Sequence, residues 1–165
     1  MCVLYRGELK NCDVCPKCSE PRFKAKNVLK RTFHYLPLSP KVIKSCGTGG
    51  ISYLLLQSHG GEIGEPNNVG IMKDVHDSPK WKSSFSVCIL NGDSRGIGLS
   101  LYLDGLNYSM WPIVLGQLNF SRKIRYHFAN LLLVGIISSQ TRGKEPKHLD
   151  PFLEVLVDEI LSLSS

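Results

Sequence analysis

The sequence predicts an α/β chain: a three-strand meander followed by an amphipathic helix, preceded by a small cysteine-rich module. Apolar residues alternate through residues 97–103, strand-like runs follow at residues 108–118 and 130–137, and residues 149–163 carry apolar side chains at helical spacing. Four of the six cysteines, Cys2, Cys12, Cys15 and Cys18, fall in the first eighteen residues. With 165 residues, 42% of them hydrophobic, the chain is long enough to bury a core without disulfide staples.

From the N-terminus, Cys12-Asp13-Val14-Cys15-Pro16-Lys17-Cys18 is too tightly punctuated for a helix interior and predicts a knuckle loop. Thr32, Phe33 and Tyr35 predict a strand that Pro37-Leu38-Ser39-Pro40 stops. A short helix begins near residue 41 and is interrupted by Gly47, Gly49 and Gly50, and residues 58–68 have loop composition. Asp74, His76 and Asp77 read as an Asp cap before a short helix, with a metal site or general-base pair as the alternative. These signals divide the chain into a basic cysteine-rich module at 1–60, a loop-rich linker at 61–95 and a core at 96–165.

In the core, Ile97, Leu99, Leu101 and Leu103 alternate with Gly98, Ser100 and Tyr102, and Asp104 falls on the second face. Asp104-Gly105 is a hairpin signal; a carboxylate at a strand end is also where a divalent metal would be held, and spacing leaves both readings open. Residues 121–128 read as a short helical connection, and residues 130–137, nearly all apolar, as a strand buried on both faces. In the last helix Leu149, Phe152, Leu153, Leu156 and Ile160 share one arc while Asp150, Glu154 and Asp158 share another, the pattern of a solvated acidic face. Cys46 and Cys88 read as small core residues, His127 and His148 as structural or surface residues.

Charge is as uneven as cysteine. The chain carries +6 overall, residues 1–50 hold +7, and the rest is left at −1. Within that segment Arg22, Lys24, Lys26, Lys30 and Arg31 form a basic stripe suited to phosphate contacts, or else a solvated face. The longest apolar run, residues 131–137, is far short of the ~20 residues a membrane helix needs, and no basic leader precedes an apolar stretch at the N-terminus. An intracellular chain without membrane contact is expected, with its cysteines as thiols or metal ligands. Cys15-Pro16-Lys17-Cys18 has the spacing that sets two thiolates on one zinc ion. The run through Cys12 also has the start of a ferredoxin cluster site, whose next cysteine position holds Arg22; unliganded thiols are the third reading.

Seven short motifs then carry a resemblance by their order and spacing. They are Leu4-Tyr5-Arg6-Gly7-Glu8, Cys15-Pro16-Lys17-Cys18, Tyr35-Leu36-Pro37-Leu38, His76-Asp77-Ser78-Pro79-Lys80-Trp81-Lys82, Asp104-Gly105-Leu106-Asn107, Tyr108-Ser109-Met110-Trp111-Pro112-Ile113 and Glu145-Pro146-Lys147-His148-Leu149-Asp150-Pro151. Together they resemble the transposase of CACTA (En/Spm) DNA transposons and their animal relatives, over nearly the whole chain and most specifically at residues 104–112. The resemblance implies the opening part of an RNase H-like core: residues 97–103 its first strand, Asp104 the first of a catalytic acid triad, and residues 149–163 its first helix. It implies a nuclear, transposase-derived DNA-binding protein with structural zinc on Cys2, Cys12, Cys15 and Cys18. DNA binding through the basic stripe is expected to be weak and mainly non-specific.

Magnesium would serve the full-length relatives, whose other acids match no residue up to Ser165, so the chain alone is expected not to catalyse. Partly exposed apolar faces at residues 131–137 and 152–160, with self-association, are expected to follow. Besides the family's C-terminal half, which this sequence lacks and which is the largest departure, two more stand out. The family has a further cysteine upstream of Tyr-Arg-Gly, where this chain has only Met1-Cys2 and Cys12 is the substitute; and Asn107 runs directly into Tyr108, tightening the loop after Asp104. Two readings from other classes stay beside it: a Mg-dependent strand-transfer enzyme that completes its acids from Asp150, Glu154 or Asp158, and a protein-interaction module that uses an open sheet edge.

Overall fold

The computed structural model describes residues 3–47, 74–80, 97–105, 110–138, 146 and 148–163. Cys2, Cys88, Tyr108, the loop at 58–68 and the side chains of Cys46 and His76 lie outside the described residues. The strands are β1 (Phe23–Ala25), β2 (Val28–Leu29), β3 (Phe33–Tyr35), β4 (Leu99–Leu103), β5 (Met110–Gln117) and β6 (Leu131–Ser138). The helices are α1 (Ser39–Gly47), α2 (Arg122–Arg125) and α3 (Asp150–Leu163), with single 3-10 turns at Gly7–Asn11, Val75–Asp77 and Phe128–Asn130. The protein is therefore mixed α/β with antiparallel sheets.

Strands β1 and β2 form an antiparallel hairpin of their own. Its turn is Lys26-Asn27, at φ 20° and 65°, the left-handed backbone that a two-residue hairpin requires and that Asn tolerates better than Lys. The other strands make a four-stranded sheet in the order β3-β6-β5-β4. Strands β4, β5 and β6 are thus neighbours in chain order, as a meander requires. The six residues between Leu103 and Met110 are too few for a parallel crossover. At the next turn Gln117 Nε2 reaches the Asn130 carbonyl at 3.5 Å, so the end of β5 lies beside the start of β6. Strand β3 adds antiparallel to β6, with Phe33 opposite Ile137, His34 opposite Ile136 and Tyr35 opposite Gly135. Gly135 is required there, because a Cβ would stand 2.9 Å from the Phe33 ring.

The chain forms two compact units interleaved along the sequence, Met1–Ser39, Tyr102–Val114 and Leu133–Ser165 in one, and Pro40–Leu101 and Leu115–Leu132 in the other. The first buries Val3, Cys15, Leu38, Ile113, Val134, Ile137, Phe152 and Leu156. Helix α3 turns its predicted arc inward, and Phe152 meets Phe33 edge to face at 5.0 Å. Within residues 152–160 the apolar face is only partly exposed: Phe152 and Leu156 are buried, 1% and 4% exposed, Phe152 against Phe33 of β3, while Val157 is exposed. Leu161 and Leu163 add exposed apolar surface further along α3.

One carboxylate ties this unit together. Glu159 on α3 accepts from the backbone N–H groups of Leu38 at 2.9 Å and Ser39 at 2.8 Å, and from the hydroxyls of Tyr35 and Ser39. These are the orphan donors of the first turn of α1, so Glu159 acts as a cap supplied from a distant helix. Burial pushes the Glu159 carboxyl up, but the hydrogen bonds from Ser39, Tyr35 and Leu38 outweigh it and hold the group at about 2. Burial and the facing carboxylate together push the Tyr35 phenol above its ordinary range.

In the second unit Leu115, Phe120 and Leu132 are buried together with Gln117, Asn119 and Arg125. Asp74 caps the turn Val75–Asp77 in a reciprocal box with Asp77, which is the capping reading of that motif. Both Asp74 oxygens also take the Arg125 guanidinium, at 2.7 Å each, and Arg125 Nε donates to the Phe120 carbonyl at 3.0 Å. Burial works against the Arg125 cation, and the bonds to Asp74 outweigh it. Asp74 is thus the counterion of an arginine 1% exposed.

Candidate functional site

The N-terminal knuckle doubles back on itself. Ser19, at φ 55°, closes the turn by donating its N–H to the Cys15 carbonyl at 2.8 Å, while the Cys15 N–H donates to Glu20 at 2.9 Å. Val14 bridges Pro21, and the Arg22 N–H donates to Asp13 at 2.7 Å. This fold-back buries Cys15, leaves Cys18 exposed and holds Cys12 between the two extremes. The Tyr5 phenol is pushed up first by burial and then by Cys15, with Cys18 and Cys12 adding to it and Arg22 opposing.

The basic stripe converges on the same place. The Arg22 guanidinium stacks on Tyr5 at 4.6 Å and Phe23 at 5.3 Å and donates to the Lys10 carbonyl at 2.8 Å. Glu20 pairs with Lys30 at 2.8 Å and Arg31 at 3.7 Å, and the Lys30 hydrogen bond, followed by Arg31, holds its carboxyl below the usual range. A small cavity of about 30 Å³ opens between Cys15, Cys18, Glu20, Arg22, Lys30 and Arg31. The Nε–H groups of Arg22 and Arg31 are buried and have no acceptor among the described residues. Lys24 and Lys26 stand exposed on the adjoining β1-β2 hairpin. The arrangement brings two thiols and three cations, two of them paired with Glu20, around one small cavity.

Zinc is the cofactor the sequence implies. Soft thiolates suit that ion, yet among the described residues no three His, Cys, Asp or Glu side chains come together as a metal requires. The described thiols alone do not build a zinc centre. Asp104 lies just past β4 and is exposed, its carboxylate accepting from the Gly105 N–H at 2.7 Å. Gly105 is covered by Trp111, whose ring would stand 3.0 Å from a Cβ, and this contact links the Asp-Gly and Trp-Pro motifs. The acids of α3 do not join Asp104 in a metal-holding set. Asp158 and Glu154 take Arg6 instead, at 2.6 Å and 3.7 Å, as exposed pairs.

His127 and His148 are exposed. Two features escaped the sequence reading: the Glu159 cap, which local spacing does not signal, and the aromatic pair Tyr126 and Phe128, visible beside Arg122 and Lys123 but absorbed into a connection. Among the described residues no helix is long and apolar enough to cross a membrane. No family model, curated protein or solved structure matches the chain.

Proposed function

We propose that this chain is the DNA-binding, transposase-derived opening part of a CACTA-type element, gripping phosphates through its basic N-terminal hairpin and having no catalysis of its own. The observation that carries the reading is the convergence of Arg22, Lys30 and Arg31 on one small cavity beside the exposed Lys24 and Lys26. Lys24 and Lys26 extend the positive surface outward, where backbone phosphates can reach it. Meander order β6-β5-β4, the helix α3 and the place of Asp104 after β4 support an RNase H-like core, with Asp104 as the first magnesium ligand of full-length relatives. Cys15 and Cys18 hold a structural zinc ion in this reading, with Cys2 and Cys12 as the weaker candidate ligands; the C-x2-C spacing supports it, while the described thiols do not gather as a set of three. A nuclear location follows from the same proposal.

The test is salt-dependent binding of the full chain to a labelled DNA duplex. Affinity should fall steeply as salt rises, and Lys24→Gln, Lys26→Gln and Arg31→Gln should each lower the slope of log affinity against log salt by about one. Unchanged affinity in the triple variant would dismiss the hairpin as the phosphate grip. Native mass spectrometry of the same protein should give about one zinc per chain. A metal-free mass with folding unchanged on chelation removes the zinc.

A further inference from the structure

The connection between β5 and β6 exposes two aromatic rings, of which Tyr126 also lies against the Arg125 guanidinium at 5.9 Å. Phe128 is 93% exposed and Tyr126 52% exposed. A phenylalanine left almost wholly in water forgoes the stabilisation that burial would give it. The backbone nevertheless fixes it there. Arg125 N–H donates to Ser121 at 2.9 Å, His127 N–H to Ile124 at 3.0 Å, Asn130 N–H to His127 at 2.8 Å, and the Asn130 amide to Ile124 at 2.8 Å. Beneath them the buried Arg125 is locked by both oxygens of Asp74. The rings therefore stand on a braced turn and lose little entropy when a ligand covers them.

The segment itself is cationic. Arg122, Lys123 and His127 are exposed on it and it carries no acidic residue, although Asp74, bonded to Arg125, packs against it. Planar π-faces set among cations, without an aliphatic patch of their own, match a polyanion whose planar groups are free to stack. We infer that residues 121–130 form a stacking platform for the unpaired bases of a single-stranded nucleic acid, with Phe128 and Tyr126 as the stacking faces and Arg122 and Lys123 on the backbone phosphates. In a duplex the bases are already stacked on one another, so this surface reads a different substrate from the phosphate grip of the N-terminal hairpin. It draws on none of the hairpin's residues and goes beyond that reading.

The experiment uses the full chain and a single-stranded oligothymidylate carrying one 2-aminopurine, with a duplex as the second probe. Phe128→Ala should weaken single-strand binding by roughly 5- to 150-fold, the range of a lost base–aromatic stack, and abolish the 2-aminopurine response. Phe128→Trp should keep both, Phe128→Leu should behave as alanine does, and Lys123→Gln should reduce the salt slope. Duplex affinity should stay unchanged in all four variants, whereas the hairpin variants Lys24→Gln and Lys26→Gln should weaken duplex binding and leave the 2-aminopurine response in place. Because the Phe128 ring is in solvent, the unfolding midpoint should not move. Wild-type binding by Phe128→Leu would overturn the proposal in favour of an apolar docking surface for a protein or a membrane. Absence of single-strand binding by the wild type, or no effect of Phe128→Ala, would also overturn it.

Discussion

Replacing Glu159 by glutamine removes the charge that caps α1 while keeping the shape of the side chain. In the folded chain this carboxyl is held at about 2 against an ordinary 4.5. Since a tenfold change in an acid constant is worth about 1.4 kcal/mol, the ionised form gains at most about 3 kcal/mol on folding. The carboxylate is partly open to solvent, which screens some of that and leaves about 2 kcal/mol. Its folded value lies below the unfolded one, so the contribution is complete above about pH 4.5 and is lost as pH falls from there toward 2. Urea unfolding of wild type and Glu159→Gln between pH 7 and 2.5 should show two curves separated by about 2 kcal/mol at neutral pH that converge at the acid end. Glu159→Ala should cost about 1 kcal/mol more, because the Leu38 and Ser39 N–H groups lose their acceptor altogether. Parallel curves across the whole pH range would refute the cap.

Two further outcomes follow from the packing. Asp74→Ala leaves the Arg125 cation buried without its partner and should destabilise the second unit by about 3–5 kcal/mol, whereas Arg125→Met with Asp74→Ala should recover much of that loss, read by chemical unfolding. Gly135→Ala should cost about 1–3 kcal/mol by driving a methyl group into the Phe33 ring, and Phe33→Leu in the same chain should relieve part of it, read from thermal unfolding midpoints.

Periodicity alone carried the meander and α3. Alternation at residues 97–103 and the arc through Phe152 and Leu156 report burial of whole faces, and a face is set by local spacing. The knuckle was legible from the closely spaced, proline-containing run Cys12 to Cys18, while the left-handed backbone at Ser19 that closes it was not. Of the candidate site, the basic residues could be named from charge, but their convergence could not: Arg22 stacking on Tyr5 and the buried Nε–H groups depend on how the fold-back closes.

Sequence by itself determined strands β3 to β6, which face of α3 is apolar and where positive charge is concentrated, because each depends on residues a few positions apart; the short β1-β2 hairpin, within the basic stripe, it did not show. Tertiary structure decided the rest. It placed β3 against β6, set Glu159 under a helix start 120 residues earlier in the chain, and paired Arg125 with an aspartate 51 residues away. Many carboxylates and cations along this chain have the right chemistry for such pairs, and only the fold decides which of them are desolvated face to face.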